Sequence, residues 1–157
     1  MWVKNHEQAS ISEHNTQESY TAFHKRTLKK REHSAPGEIT SDMKLLYEFW
    51  SHFLCRNFNL TMYNDFRKYA LEDAREKSMI GMKNLISYYD QVLLNKERVI
   101  HDILAQHYVE TVKNEEDGER PALEKLRAAW RNGALELKSR KKIDNLVDPQ
   151  LREELDR

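Results

Sequence analysis

Histidine and cysteine are the residue types of this chain that most readily bind metals or act in catalysis. The chain has seven histidines, no two of them four residues apart, and their spacing therefore does not predict a metal site. The single cysteine, Cys55, stands beside an apolar stripe, which favours a packing role over a nucleophilic one. Glycine-rich phosphate loops, His-Glu-x-x-His motifs and paired cysteines are absent from the sequence. We therefore expect no enzymatic activity, no metal and no cofactor.

A second set of candidate residues, polar except for Ala128, recurs at a spacing of four, which places its members on one face of a helix. We call this set the polar ladder, and its three rows are Lys44, Glu48, His52 and Arg56; Lys83, Ser87 and Gln91; and Glu124, Ala128 and Asn132. Arg127 and Arg131 flank the third row. The ladder could line a binding groove or could be an ordinary solvated surface, and the spacing alone leaves both open.

The elements that must position the ladder are predicted helices. Apolar residues recur at helical spacing in 42–57, 62–74, 82–93, 99–112 and 121–137, and one more helix is predicted from Tyr20 to a Ser-Ala-Pro-Gly stretch at 34–37. Thr40 or Ser41 can cap the helix over 42–57, and Pro121 suits a first helical position. The count is about six helices, and Pro149 predicts a short further helix at the C-terminus.

These helices repeat along the chain. Residues 71–89 align with 112–130 at an offset of 41, and 43–50 align with 82–89 at an offset of 39. Both alignments place bulky aromatics at equivalent positions, namely Trp50, Tyr89 and Trp130. The constant period argues against a chance match of amphipathic helices. We predict an all-α fold, an α-solenoid of three HEAT-like helical hairpins plus a short C-terminal helix, over 18–157, with a flexible polar leader at 1–17.

Composition narrows the class of protein further. Four glycines and three prolines in 157 residues leave too few turn residues for an all-β fold. No apolar run is long enough for a membrane span, and a single cysteine suits a reducing compartment, so a soluble, cytoplasmic, monomeric protein is expected.

Charge gives mixed signals about partners. The 26 basic and 26 acidic residues balance, which argues against a domain-wide positive field. The basic segments 25–31 and 138–142 could each contact phosphates, or each could be a charged, solvated helix end.

The chain resembles the C-terminal helical-repeat region of the La-related protein 1 family over residues 18 to 155. The resemblance is carried by the order and spacing of several short strings: Phe-Trp at 49–50, Leu-Glu-Asp-Ala at 71–74, Glu-Thr-Val-Lys at 110–113 and Leu-Glu-Lys at 123–125. It implies three HEAT-like hairpins that bind the 7-methylguanosine cap and the first pyrimidine nucleotides of messenger RNA in translational control. The family's cap site uses two stacking aromatics, a carboxylate for the base edge and arginines for the phosphates.

This sequence departs from the family at those positions. Gln91 and Asn132 stand where the family has its stacking tyrosines, and Leu94 stands in place of the base-reading glutamate. Glu48 and Ser87 replace phosphate-binding arginines, and His52 replaces an aromatic that contacts the next nucleotide. The resemblance therefore implies a family fold whose cap recognition is lost or altered.

These observations support two hypotheses about function. The first is RNA binding at the 5′ end region of messenger RNA, with pyrimidine-rich RNA as the partner and contacts from Lys44, His52, Arg56, Lys83, Gln91, Arg131 and Asn132. The alternative is a protein-interaction scaffold that docks a partner on the same helical surface.

Overall fold

The computed structural model of the chain describes residues 10–13, 16–116 and 118–157. Two strands, β1 (Ser10–Glu13) and β2 (Thr16–Ser19), come first. Eight helices follow in the described residues: α1 (Tyr20–Glu32), α2 (Ser41–Arg56), α3 (Leu60–Arg75), α4 (Ile80–Leu94), α5 (Asp102–Asn114), α6 (Pro121–Arg131), α7 (Leu137–Leu146) and α8 (Pro149–Asp156). The chain divides into two compact units, Met1–Leu85 and Ile86–Arg157.

The first unit is built around Trp50 of α2. Its ring is fully buried and stacks on Phe66 of α3 with the ring centroids 5.5 Å apart. Its indole Nε1 donates a hydrogen bond of 3.0 Å to the Tyr20 hydroxyl of α1, so one side chain joins three helices. The N-terminus of α2 is held by Thr40, whose hydroxyl accepts from the Met43 N–H at 3.1 Å. The predicted cap is therefore confirmed.

In the second unit, α5 packs against both α6 and α7, and α6 packs against α8. Tyr89 of α4 stacks on Tyr108 of α5 at 5.4 Å, and both rings are fully buried. A polar contact ties α7 to the segment before α5, because the buried Ser139 hydroxyl accepts from the Ile100 N–H at 3.0 Å. Pro121 and Pro149 open α6 and α8 as predicted.

The repeat positions behave as the alignment predicts. Trp50, Tyr89 and Trp130, the three matched aromatics, are 0%, 0% and 7% exposed. Each of the six predicted helices is present as α1 to α6, and the predicted C-terminal helix is α8. The all-α prediction is confirmed. Aromatic burial at a period near 40 residues thus reflects a repeating core rather than a coincidence of apolar stripes.

Two features differ from the prediction. The pattern over 121–137 predicts one helix, but α6 ends at Arg131 and Leu137 begins a separate helix, α7, which the pattern did not predict. The strands Ser10–Glu13 and Thr16–Ser19 pair in antiparallel orientation. The sequence predicts no regular element in the leader, 1–17, which contains β1 and the start of β2. The rest of the proposed leader, 1–9 and 14–15, lies outside the described residues, and its flexibility stays a prediction.

Candidate functional site

The first row of the polar ladder lies along one exposed face of α2. Lys44, Glu48, His52 and Arg56 follow one another at about one helical turn each, and all four side chains are exposed. None of the ion pairs between described residues includes Lys44. Its ammonium group is therefore available to an external anion.

His52 is held in a defined orientation on that face. Its Nδ1 lies 2.7 Å from the Glu48 carbonyl oxygen, one turn earlier. A carbonyl oxygen can only accept, so Nδ1 donates, and in the neutral ring Nε2 is left as an acceptor. His52 thus presents a nitrogen of known hydrogen-bonding character to solvent.

The second row lies on α4. Lys83 and Gln91 are exposed, and Ser87 is half-buried. Gln91 Nε2 donates to the Ser87 hydroxyl at 3.4 Å, which directs the Gln91 side chain back along the helix. Lys83, like Lys44, is in no ion pair with another described residue.

The third row ends where α6 ends. Arg131 is the last residue of α6, and Asn132 is its C-cap. The Asn132 side-chain oxygen accepts from the Ala134 N–H at 2.9 Å, forming a local turn that competes with helix continuation. This turn is the physical reason why α6 stops before Leu137. Both Arg131 and Asn132 are exposed.

A cavity of about 290 Å³ opens beside Asn132 in the second unit. Leu94 and Asn132 both line it, so the structure brings together two of the positions at which the family resemblance places cap-reading residues. The full lining is Asp90, Leu94, Glu124, Lys125, Ala128, Ala129 and Asn132. It contains no aromatic ring, and it carries two carboxylates against one ammonium group. Gln91 is not part of this lining.

Asp90 is a site residue that the spacing did not predict, because it stands one position before Gln91 and off the ladder. Burial raises the pKa of its carboxyl group, and the Lys125 charge and the Tyr108 hydroxyl oppose that rise. Burial, with the neighbouring Asp90 carboxylate, also raises the pKa of Tyr108. The sequence did hold a signal, since Asp90 is the one acidic residue of α4.

The basic segment 25–31 is largely engaged inside the first unit. Lys30 Nζ and Arg26 Nε lie 2.8 Å and 3.5 Å from Asp42 Oδ2. Arg31 pairs with the buried Asp73 at 2.8 Å, and its guanidinium lies 4.7 Å from the Tyr69 ring centroid. These contacts favour the structural interpretation of the segment over phosphate binding for three of its five cations.

The basic segment 138–142 is engaged in part. Lys142 Nζ donates to the Ile100 carbonyl at 2.7 Å and pairs with Asp102 at 2.8 Å. Arg140 lies over the Trp130 ring, with the guanidinium carbon 4.1 Å from the ring centroid. Lys138 and Lys141 are exposed.

Cys55 has the environment of a packing residue. Its thiol donates to the Ser51 carbonyl at 3.1 Å, and burial raises its pKa, which lowers the fraction of reactive thiolate.

Among the described residues, no three His, Cys, Asp or Glu side chains are arranged to hold a metal ion. In the same part of the chain, no helix is long and apolar enough to cross a membrane.

Comparison with known families places this arrangement in context. The LARP1 HEAT repeat region family matches residues 6–157, which is nearly the whole chain and includes all eight helices. The match supports the α-solenoid class that the repeat period predicts. The chain therefore belongs to the LARP1 HEAT repeat region family.

Proposed function

We propose that this chain is the RNA-binding module of a La-related protein and contacts the 5′ end region of messenger RNA in the cytoplasm, in translational control. The observation that carries the proposal is the exposure of Lys44, Lys83 and Arg131 on α2, α4 and α6, outside any ion pair with described residues. Membership of the LARP1 HEAT repeat region family supports it, because stacked helical repeats create extended binding surfaces.

Unpaired surface cations suit RNA because each phosphate they neutralise releases condensed counterions. A lysine already bound to a carboxylate gains less from a phosphate, since the existing pair must first be broken. This difference separates the ladder cations from Arg26, Lys30 and Arg31, whose carboxylate partners lie in the same unit.

Other side chains of the polar ladder can contact bases or sugars. His52 offers Nε2 as an acceptor, and the Asn132 amide nitrogen carries two donor hydrogens. Hydrogen bonds of this kind act on the edges of unstacked bases in single-stranded RNA. We assign Gln91 and Arg56 to the same group by their exposure and their place on the ladder.

The proposal does not include specific recognition of the cap. A methylated guanine is held by stacking, and base–aromatic stacking contributes about 1–3 kcal/mol per base. The cavity at Leu94 and Asn132 has no aromatic lining residue, and no arginine lines it. We infer that capped and uncapped RNA are bound with the same affinity.

Removal of the three ladder cations tests the proposal. In the variant Lys44→Ala/Lys83→Ala/Arg131→Ala, we expect the slope of log affinity against log salt for a pyrimidine-rich RNA to fall by about 2, at about 0.7 per lost phosphate contact. The matched control is Lys68→Ala, an exposed lysine on α3. We expect no change in the control. An unchanged slope and affinity in the triple variant would contradict the proposal.

A protein-docking function is the second candidate, and the cavity at Leu94 favours it. Leu94 is 36% exposed beside Ala128, and Glu124 and Asp90 add negative charge to that lining. A partner segment with an apolar and a basic side chain would match this surface. The test is to recover the chain from cell extract after nuclease treatment. If one stoichiometric protein partner is recovered with it, and the variant Leu94→Asp no longer binds that partner, the surface is assigned to protein and not to RNA.

A further inference from the structure

A second cavity in the unit Ile86–Arg157 has no residue of the polar ladder in its lining. Its volume is about 320 Å³, which falls at the lower end of the roughly 300–1,000 Å³ that ligand sites occupy. Its lining comes from the end of α6, one face of α7 and α8: Trp130, Leu137, Arg140, Lys141, Asp144 and Arg152. We call it the α7 cavity.

Positive charge predominates in the α7 cavity. Three of its six lining residues are cations, and one is a carboxylate. That carboxylate, Asp144, pairs with Arg152. Arg140 and Lys141 are in no ion pair with another described residue, so the two positive charges are not compensated within the cavity.

Arg140 is fixed in place before any ligand arrives. Its guanidinium carbon lies 4.1 Å from the Trp130 ring centroid, and its Nη1 donates to the Trp130 carbonyl at 2.6 Å. A guanidinium has five N–H donors, and this contact uses one of them. A cation already held over a buried indole loses little conformational entropy on binding, which favours affinity.

Leu137 adds an apolar surface next to these cations. It is 78% exposed, the largest exposure among the large apolar side chains of the described residues. It begins α7, one turn before Lys141. The α7 cavity therefore presents anion-binding groups and an apolar contact surface side by side.

We propose that the α7 cavity is a second RNA subsite, in which Arg140 and Lys141 bind a backbone phosphate and Leu137 contacts the adjoining base. The inference rests on the proposed function. RNA fits better than an acidic protein segment, because a nucleotide carries a base with a flat stacking face beside each phosphate, whereas a carboxylate side chain does not. Bases also stack on guanidinium planes, which Arg140 provides.

Lys141→Ala tests the subsite in the full chain. With fluorescein-labelled, uncapped pyrimidine-rich RNA, we expect about a fivefold loss of affinity at 0.1 M salt and a salt slope shallower by about 0.7, the value for one phosphate contact on a single strand. Lys138→Ala is the matched control, since Lys138 is an exposed lysine of the same helix that does not line the cavity. Leu137→Ser should weaken binding without changing the salt slope.

Each result separates this inference from the proposed function. If the wild-type chain binds RNA and Lys141→Ala binds it equally well, the subsite alone is overturned. The same holds if Lys138→Ala weakens binding as much as Lys141→Ala does. Absence of RNA binding by the wild-type chain would overturn both. Binding of an oligoglutamate peptide that depends on Lys141, with RNA binding unaffected, would assign the α7 cavity to an acidic protein segment and overturn the inference.

Discussion

At the scale of single residues, two buried carboxylates decide what the first basic segment does. Asp42 and Asp73 are 6% and 5% exposed, and between them they bind Arg26, Lys30 and Arg31. The Tyr47 hydroxyl also donates to Asp73, so that carboxylate has partners from both α1 and α2. Loss of one partner would leave a buried charge uncompensated, which costs more than an exposed ion pair contributes.

The Asp42 pairing predicts a pH-dependent stability. The hydrogen bond from Lys30 lowers the pKa of Asp42, with further lowering from the Arg26 charge. A lowered folded-state pKa stabilises the protein above the unfolded-state value and loses that contribution as the pH falls through the folded-state value. We expect Asp42→Asn to lower the free energy of unfolding by about 1 kcal/mol at pH 7. The difference from wild type should shrink as the pH falls below about 4, the ordinary pKa of an aspartate in the unfolded chain, and through the lowered folded-state value.

Urea unfolding over this pH range measures the difference. Glu153→Gln is the control, because Glu153 pairs with Arg157 at 3.3 Å on an exposed surface and should contribute only a few tenths of a kcal/mol. A difference between Asp42→Asn and wild type that stays constant with pH would show that the charge of Asp42 is not what stabilises α2.

Residue types and spacing could predict some of these details but not others. Thr40 as a cap and Pro121 and Pro149 as first helical residues follow from local backbone chemistry, and the structure confirms them. Asp90 was not predictable from spacing, because its importance comes from contact with Tyr108 and Lys125 on other helices. The RNA-binding roles of the ladder residues stay a prediction.

At the scale of elements, the approach of α4 to α3 depends on one glycine. The apolar pattern predicts a helix over 82–93, yet α4 begins at Ile80 and Gly81 lies in its first turn. A Cβ at Gly81 would lie 2.7 Å from the Tyr47 ring and 2.9 Å from the Ala70 Cα. Gly81 is therefore needed for close packing, which periodicity alone does not reveal.

Gly81→Ala should destabilise the first unit. Crowding against the Ala70 backbone should cost about 1–3 kcal/mol, partly offset by the roughly 1 kcal/mol by which alanine exceeds glycine in helix propensity. Gly133→Ala is the matched control, because a Cβ there meets no atom within 4 Å, and its stability should be unchanged or slightly raised. Thermal unfolding of both variants and of the wild type measures the difference in melting temperature. Equal melting temperatures for Gly81→Ala and wild type would contradict the packing explanation.

Helix α7 could not be predicted from the spacing of apolar residues. Its sequence begins with the exposed Leu137, has Ile143 as its one buried large apolar residue, and buries the polar Ser139. Three lysines and an arginine dominate its composition, so no apolar stripe marks it. Its position depends on tertiary contacts, chiefly those of Ser139 and Lys142 with Ile100.

At the scale of the whole molecule, the repeat explains the fold and the charge distribution limits the function. A period near 40 residues predicted the class of the fold because each hairpin buries the same aromatic position. Although the 26 basic and 26 acidic residues balance, the cations fall into two groups. Some stabilise each unit internally, and others, such as Lys44, Lys83 and Lys141, are exposed and outside ion pairs with described residues.

The central claim is that the chain binds RNA without reading its cap. Its most direct test is fluorescence anisotropy of the wild-type chain with one pyrimidine-rich RNA, prepared with and without the 7-methylguanosine cap. The cavity at Leu94 and Asn132 has no aromatic ring to hold a methylated base, so we predict the same affinity for both forms and the same salt dependence. Tighter binding of the capped RNA, or no binding of either form at low salt, would contradict the claim.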